Sequence, residues 1–283
     1  MILSFHPCIL ADHQIITADR DLGPGDISLI NKVDVIILPQ SCSVGLYRAC
    51  IKSSALLFPD YKTRFEYPGK VGQSLLFERI GCPHPRSLRW RSVAEFKEKY
   101  REHYNLHTPF ILKADLSHEA DGVYIIEDKK SLISALKALE EAGRSGSGAF
   151  ISQEIIQTMG NALRVVIMGR QTISYWKRPG KDEDIITTIG KGARIDRSWL
   201  ADLQEKGRLQ ARKLAASTGI NLAAVDIVFS LTEDDPEPML LEINYYFGRR
   251  GLGGSIKYYG LLFRTIQEWL KQQGFDHSSI GLV

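Results

Sequence analysis

Three side chains that carry oxygen interrupt two apolar segments in the last third of the sequence. Asp226 lies in the first segment, and Glu242 and Asn244 lie in the second. The intervening Thr232–Pro238 is rich in turn-forming residues, which predicts a β-hairpin. Because alternate residues of a strand share a face, Glu242 and Asn244 point the same way. A turn centred on Asp234 places Asp226 opposite Glu242, so all three side chains converge.

This convergence has two interpretations. Carboxylates in an apolar strand are costly unless a cation neutralises them, and oxygen ligands suit Mg²⁺ or Mn²⁺. The hairpin is therefore a candidate metal site. The alternative is a strand surface that faces solvent and carries three ordinary polar residues.

Basic residues also occur in apolar segments. Lys113 ends the apolar run of the segment Thr108–Ala114, and Arg164 lies within Ala162–Gly169. A buried ammonium needs an anionic partner, although a lysine at a strand end can also extend into solvent. A nucleoside triphosphate with Mg²⁺ would satisfy the lysine, the arginine and the acidic hairpin together.

Composition limits the possible classes of protein. The chain has 283 residues, of which 44% are hydrophobic and 24% charged, as in ordinary globular proteins of two or three domains. We expect a cytoplasmic protein, because no membrane-spanning run or signal peptide is recognisable and the four cysteines show no paired spacing. The net charge of +3 is too small to indicate nucleic-acid binding by itself.

Hydrophobic periodicity and turn residues predict the elements that position these side chains. The first 60 residues predict a β–α–β unit. The predicted strands are 32–39, 54–59, 108–114, 122–127, 149–156, 162–169 and 171–177, followed by the acidic hairpin. The predicted helices are 40–48, 70–81, 92–104, 128–143, 198–219 and 255–273. The polar, glycine-rich segment 177–197 is long enough to be a functional loop.

In this order, the motifs between Lys70 and Leu270 resemble the ATP-grasp superfamily, in particular the RimK-like carboxylate–amine ligases. The resemblance implies an α+β fold in which two α+β subdomains clamp a nucleotide. A small α/β domain (1–66) would precede the ATP-grasp domain (67–283), with a hinge near 149–156. It also implies ATP and Mg²⁺ or Mn²⁺ as cofactors.

The resemblance further implies roles for individual residues. The positions that match nucleotide-binding residues of the family are Lys70, Lys113, Gln153, Glu154, Ile155, Asn161 and Lys177. The positions that match residues near the reacting phosphoryl group are Arg164 and Arg178. The positions that match the metal ligands are Asp226, Glu242 and Asn244.

The sequence departs from the family pattern in three places. The segment Asp115–Gly122, which corresponds to a glycine-rich phosphate loop, has one glycine and three acids. Ala162 stands where an acid usually holds the ribose, and Asn161 precedes it. Thr187 and Thr188 stand where the family often has an asparagine. A nucleotide-binding sensor that has lost ligase turnover is therefore an alternative to an active ligase.

The activity implied is a two-step ligation, in which a carboxylate is phosphorylated by ATP and an amine then displaces phosphate. The expected partners are small-molecule or peptide carboxylates and amines, not nucleic acid or membrane. Arg249 and Arg250 follow the acidic hairpin directly and are candidates for substrate binding; the alternative is a glycine-rich turn with solvated arginines. Nucleic-acid binding, suggested by a sequence pI near 8.6 and the basic segment 178–197, is a third hypothesis.

Overall fold

A computed structural model describes residues 1–18, 20–100, 108–116, 122–144, 146–180 and 192–283. The end of the helix predicted over 92–104, most of the loop 115–122, and Thr187 with Thr188 lie outside these residues. Within the described ranges, no helix has the length and apolar character needed to cross a membrane.

The first sheet is a parallel β–α–β arrangement, as the sequence predicts. Its strand order is β3-β1-β4-β5, with every adjacent pair parallel. The third and fourth strands of this order flank, along the chain, a helix that begins after Ser43, whose hydroxyl accepts a hydrogen bond from the Leu46 amide. The elements of this region are β1 (Ile2–Ser4), β2 (Ile9–Leu10), β3 (His13–Gln14), α1 (Pro24–Ile30), β4 (Val35–Ile37), α2 (Val44–Cys50), β5 (Leu56–Phe58) and α3 (Lys62–Glu66).

The second sheet is antiparallel, with the order β6-β9-β7-β8. One of its faces packs against two helices through an aromatic cluster that includes Trp90, Phe96, Phe110 and Phe150. The elements of this region are α4 (Gly69–Arg79), β6 (Ser87–Trp90), α5 (Val93–Tyr100), β7 (Phe110–Ala114), β8 (Val123–Ile126), α6 (Lys129–Gly143) and β9 (Phe150–Glu154). The short strand β6 is absent from the sequence prediction.

The third sheet is also antiparallel, with the order β12-β11-β10-β13-β14. It contains the predicted strand pair and the predicted acidic hairpin. A further short strand near the C-terminal end pairs with β2. The elements of this region are β10 (Ala162–Met168), β11 (Gln171–Arg178), β12 (Arg194–Asp196), α7 (Ala201–Thr218), β13 (Leu222–Val228), β14 (Met239–Asn244), α8 (Ser255–Gln272) and β15 (Gly281–Leu282).

The start of α7 differs from the prediction. The sequence suggests Ser198 as its N-cap, but the helix begins at Ala201 after Leu200, whose φ is 45°. The backbone amide and hydroxyl of Ser198 instead donate to Asp196 at 3.0 and 3.1 Å. Asp196 ends a strand that the polar sequence did not reveal, and this carboxylate engages Ser198 before the helix starts. Gly219 closes the helix with a φ of 77°, as predicted.

The first and third sheets share their hydrophobic cores. Helix α8 buries Tyr258, Leu262 and Ile266 in a cluster that also contains Ile2 and Val35 of the first sheet. The opposite faces of both sheets contribute to a second common cluster. Residues 1–66 are thus packed directly against the third sheet, and the domain boundary near residue 66 stays a prediction. The four cysteines are unpaired, in agreement with the sequence analysis.

Replacement of glycine by alanine is expected to have opposite effects on the free energy of unfolding at two helical positions. In α7, a β-carbon at Gly207 would overlap the buried Leu163 side chain, whereas one at Gly260 in α8 would meet nothing within 4 Å. We expect Gly207→Ala to lower the free energy of unfolding by about 1–3 kcal/mol through overpacking. Gly260→Ala, the control, should raise it by up to about 1 kcal/mol, because alanine favours the helix. Urea denaturation measures both, and equal effects at the two positions would contradict this packing.

Candidate active site

A row of polar side chains crosses one face of the third sheet. Arg164 of β10 lies opposite Asp226 of β13, which in turn lies opposite Glu242 of β14. Tyr175 of β11 lies opposite Arg164 and extends the row. Cross-strand partners of an antiparallel pair project from the same face, so the four side chains are neighbours. The predicted pairing of Asp226 with Glu242 is confirmed.

A β-bulge lies immediately beside this row. The register between β13 and β14 shifts after Asp226, so that Ile227 pairs with Leu240 and Leu241 is the extra residue. The shifted residue Leu241 lines a cleft that also contains Glu242. A bulge re-aims the side chains next to it and is frequent beside active sites.

Asp226 is surrounded by cations. Its carboxylate accepts two hydrogen bonds from Arg164, from Nε and Nη2 at 2.8 Å each, and one from Lys177 Nζ at 2.9 Å. The side chain is buried, with 4% of its surface exposed. Burial alone would raise the pKa of this carboxyl, but the charges of Arg164 and Lys177 and their hydrogen bonds outweigh burial and hold the pKa well below its usual range. Asp226 therefore remains ionised.

Both Asp226 oxygens are engaged by this network. Asn244 Nδ2 also approaches Asp226 Oδ2, at 3.4 Å. The Glu242 carboxylate, in contrast, accepts no hydrogen bond from any residue in the described ranges, and neither does the amide oxygen of Asn244. Of the three predicted metal ligands, Glu242 and Asn244 thus have available oxygens. Among the described residues, no group of three or more histidine, cysteine or acidic side chains could hold a metal.

Lys113 projects from β7 on the second sheet. Its ammonium donates to Gln153 Oε1 at 2.6 Å, and Gln153 Nε2 donates to Ser87 Oγ at 2.8 Å. No described carboxylate lies within ion-pairing distance of this ammonium. Burial lowers the pKa of Lys113 to about 8, with Glu242 opposing and Lys70 adding to the shift. A buried amine with a neutral hydrogen-bond partner is prepared to receive an anion.

The second and third sheets meet at a cleft beneath helix α4. Its polar lining includes Lys70 and Gln73 of the helix, Lys113 and Gln153 of the second sheet, and Glu242 of the third. Burial lowers the pKa of Lys70, while the Glu242 and Asp115 carboxylates oppose this shift. The cleft thus collects groups that are far apart in sequence.

The charges around this cleft are unbalanced. Among the described residues, three cations of the cleft and the adjoining row, Lys113, Arg164 and Lys177, face the two carboxylates of Asp226 and Glu242. Lys70, at the start of α4, lies near the carboxylates of Glu242 and Asp115. An excess of positive charge favours the binding of anions.

The predicted hinge residues lie at the end of β9. The Glu154 amide donates to Arg86 O at 3.0 Å, and Glu154 Oε1 accepts from the Arg86 amide at 2.7 Å. Ile155 follows the strand and is half-buried. Gln153 contributes its side chain as the partner of Lys113, a contact that the sequence analysis did not predict.

Arg178 and Asn161 lie apart from the charged row. Arg178 follows Lys177 in β11, so the two side chains project from opposite faces. Arg178 pairs with Asp196 at 3.2 Å and covers the Trp199 ring at 4.2 Å. Asn161 Nδ2 donates to two backbone carbonyls of the turn before β10, while its Oδ1 is buried without a partner in the described structure. The basic pair proposed from the sequence is therefore divided between two faces.

The two arginines of the loop after β14 have different surroundings. The Arg249 guanidinium lies over the rings of Tyr258 and Tyr259, 5.0 and 4.5 Å from their centroids, and Arg250 is exposed. Gly251 packs so closely on Tyr175 that a β-carbon would overlap the ring. This contact joins the loop to the charged row, because Tyr175 is the cross-strand neighbour of Arg164.

Asp115 is one of the three acids in the segment Asp115–Gly122, and the structure shows where its carboxylate binds. As an acid at the start of a phosphate loop, it would repel phosphate if it faced the cleft. Its Oδ1 instead accepts from the Val71 amide at 2.8 Å, and its carbonyl oxygen accepts from the Lys70 amide at 3.2 Å. The carboxylate thus binds the N-terminal end of α4, where the helix dipole favours negative charge.

Comparison with known proteins identifies the architecture. The profile of the RimK-like ATP-grasp domain family matches residues 71–260. A probable alpha-L-glutamate ligase of Halorhodospira halophila is 27% identical over 146 residues, which are 51% of this chain and 45% of that protein. The match thus spans less than half the length of this curated relative.

Solved structures show the same fold. The RimK domain protein ATP-grasp from Sphaerobacter thermophilus superposes with a TM-score of 0.59 at 13% identity, covering 89% of each chain. D-alanine–D-alanine ligase from Bacillus anthracis superposes with a TM-score of 0.62 at 15% identity, covering 93% of this chain and 88% of the other. The α+β ATP-grasp architecture expected from the sequence is confirmed.

The ion pairs of Asp226 predict that replacing this residue has a large effect on stability. Asp226→Asn leaves Arg164 and Lys177 buried without a counter-charge, which should lower the free energy of unfolding by about 3–5 kcal/mol at pH 7. Since folding lowers the pKa of Asp226, its contribution is complete above about pH 4 and is lost as the pH falls through the folded pKa. Urea denaturation at several pH values measures this.

The matched control is Glu205→Gln. Glu205 also pairs with two arginines, Arg208 and Arg212, but its side chain is 48% exposed. The control should change stability far less than Asp226→Asn, because water screens an exposed ion pair. An Asp226→Asn variant as stable as the native protein would show that this carboxylate does not anchor the two cations.

Proposed function

Because the chain belongs to the RimK-like ATP-grasp family, we propose that it is an ATP-dependent ligase that joins a carboxylate to an amine. The observation that carries this proposal is the unbalanced charge of the cleft and the adjoining row, where Lys113, Arg164 and Lys177 face only two carboxylates among the described residues, Asp226 and Glu242. A triphosphate supplies the missing negative charge. ADP and inorganic phosphate would be the products of each turnover.

The nucleotide would lie between the second and third sheets. Lys113 and Lys70 would bind its phosphates, since both are cations in the cleft. The end of β9, Gln153–Ile155, would contact the base, and Gln153 would also hold the Lys113 ammonium through the 2.6 Å hydrogen bond. Asn161 is a further proposed nucleotide contact, because its buried Oδ1 has no partner among the described residues.

A divalent cation fits the donor set next to these phosphates. The Glu242 carboxylate and the Asn244 amide oxygen are hard ligands, and both are available, whereas Asp226 is held by Arg164 and Lys177. Mg²⁺ or Mn²⁺ bound there would offset phosphate charge during transfer. Asp226 could join the ligands only by exchanging one of its cationic partners.

The reaction would proceed in two displacements. A substrate carboxylate oxygen attacks the γ-phosphorus, the bond to the ADP oxygen breaks, and an acylphosphate forms. The amine then attacks the acyl carbon, phosphate leaves, and the amine loses a proton. Arg164 and Lys177 would stabilise the charge on the transferred group by position alone, so no side-chain nucleophile is required.

The acyl substrate would lie near the loop after β14. Arg249 and Arg250 remain the proposed contacts, with Arg249 held by stacking on two tyrosines and Arg250 open to solvent. Arg178 stays a prediction as a residue near the reacting phosphoryl group, and in this structure it pairs with Asp196 on the opposite face of β11. Small-molecule and peptide carboxylates and amines are the proposed substrates.

A second candidate function rests on Asp226. Its complete engagement by Arg164 and Lys177, together with Ala162 in the place of a ribose-binding acid, is compatible with a protein that binds nucleotide without turnover. Such a protein would act as a sensor or as a partner of another protein. Both functions predict ATP binding, and turnover separates them.

The decisive experiment measures ADP release against a panel of carboxylates and amines. We expect at least one pair to give turnover that requires Mg²⁺. Glu242→Gln should reduce this turnover and leave the fold intact, because it removes one ligand charge and no hydrogen bond with described residues. Tight ATP binding without ADP release for any pair of substrates would favour the sensor. Normal turnover by Glu242→Gln would show that the metal does not bind at Glu242.

Lys113 predicts how nucleotide affinity depends on pH. Its pKa of about 8 means that the free protein loses this proton as the pH rises above 8. Because phosphate binds the charged form, the Kd for ATP should be constant below pH 7.5 or so and increase toward about tenfold per pH unit above 8. A fluorescent ATP analogue measures this in Mg²⁺-free buffer.

Lys113→Arg is the control for this titration. Its guanidinium stays charged throughout the range, so the slope above pH 8 should disappear even if the affinity itself changes. An identical slope in the native protein and in Lys113→Arg would assign the titration to another group.

A further inference from the structure

Strand β14, which carries Glu242 and Asn244, is the edge strand of the third sheet. One side of its backbone pairs with β13, and the other side faces helix α4. An edge strand presents unpaired amide and carbonyl groups that must find other partners. At Ile243, between Glu242 and Asn244, those partners come from a side chain.

Gln73 of α4 bonds both backbone groups of Ile243. Its Nε2 donates to Ile243 O at 2.8 Å, and its Oε1 accepts from Ile243 N at 2.8 Å. The side-chain amide thus imitates one residue of a neighbouring strand. The carbonyl of Pro83, just beyond the end of α4, accepts from the Leu240 amide at 2.8 Å and covers the same edge.

These two bonds restrain the residues on either side. Ile243 N belongs to the peptide unit shared with Glu242, and Ile243 O belongs to the unit shared with Asn244. Holding both peptide planes limits rotation of the β14 backbone, and with it the directions in which the Glu242 and Asn244 side chains leave the strand. The Ile243 side chain points the other way and is buried in the core, with 3% of its surface exposed.

The same helix is fixed to the second sheet. Asp115, at the end of β7, binds the Lys70 and Val71 amides at the first turn of α4. Gln73 follows within one turn. Helix α4 therefore links β7, which carries Lys113, to β14, which carries Glu242.

We propose that Gln73 is a positioning residue that holds Glu242 and Asn244 in the arrangement required by a divalent cation. The inference rests on the proposed function, in which these two residues bind Mg²⁺. Residues that orient metal ligands typically change metal affinity by about 10–100-fold when they are replaced. A residue that only covers the strand edge would change stability without a specific effect on the metal.

The test is the tightening of nucleotide binding by Mg²⁺. The Kd of a non-hydrolysable ATP analogue is measured in EDTA and in saturating Mg²⁺ for the native protein and for Gln73→Met, which keeps the side-chain length but removes both hydrogen bonds. We expect the Kd in EDTA divided by the Kd in Mg²⁺ to be about tenfold smaller in Gln73→Met than in the native protein. The Kd in EDTA itself should change less than twofold. Gln73→Asn, which is too short to reach both groups, serves as a second variant if Gln73→Met does not fold.

Glu78→Gln is the matched control. Glu78 lies on the same helix, its side chain is 59% exposed, and it pairs with Arg89 rather than with β14. The control should leave the ratio unchanged. An unchanged ratio in Gln73→Met, or an equal loss of affinity in EDTA and in Mg²⁺, would overturn the positioning role alone. A native protein whose affinity does not respond to Mg²⁺ would overturn both this role and the proposed metal site.

Discussion

Asp226, Arg164 and Lys177 share a buried patch of the third sheet, and each of these charges depends on the others. Removing an ion from water costs several kcal/mol, so burying any of the three charges there alone would be strongly destabilising. The bidentate arginine contact fixes the carboxylate in one orientation, and the lysine approaches the same oxygen. Because the three residues lie on three adjacent strands, the network also aligns the face from which Glu242 and Tyr175 project.

The cleft depends in turn on the contact between two sheets that are separate in the sequence. Helix α4 provides this contact at both ends of its first turn, through Asp115 on one side and Gln73 on the other. Neither contact is hydrophobic. Directional hydrogen bonds set a distance and an angle, whereas apolar packing mainly sets a volume. This difference suits a cleft whose opposing charges, Lys113 and Glu242, must remain at a defined separation.

Much of this arrangement is readable from the sequence, and the reason is local periodicity. The alternation around Glu242 and Asn244 and the intervening turn fix the hairpin register, and strand alternation is a property of the chain itself. The strand pair that carries Arg164, the helix that begins after Asp128, and the end of α7 at Gly219 follow from similarly local signals. The ATP-grasp resemblance adds the order of these elements in space.

The remaining features depend on contacts between distant segments. Asp115 was recognisable as an acid in an unfavourable loop, but nothing in its neighbourhood indicated that α4 would receive its carboxylate. Gln73 and Tyr175 are polar or aromatic residues in ordinary helical and strand patterns, and their partners lie 170 and 76 positions later. The division between Lys177 and Arg178, by contrast, could have been foreseen, because consecutive strand residues cannot share a face.

The contact between Tyr175 and Gly251 has an evolutionary consequence. The ring of Tyr175 occupies the space that a side chain at 251 would need, so the combined volume at the two positions is fixed while the loop keeps its place. A larger residue at 251 is compatible only with a smaller one at 175. Proteins that share this loop should therefore vary at the two positions together, and a change at one alone would move Arg249 and Arg250 away from the charged row.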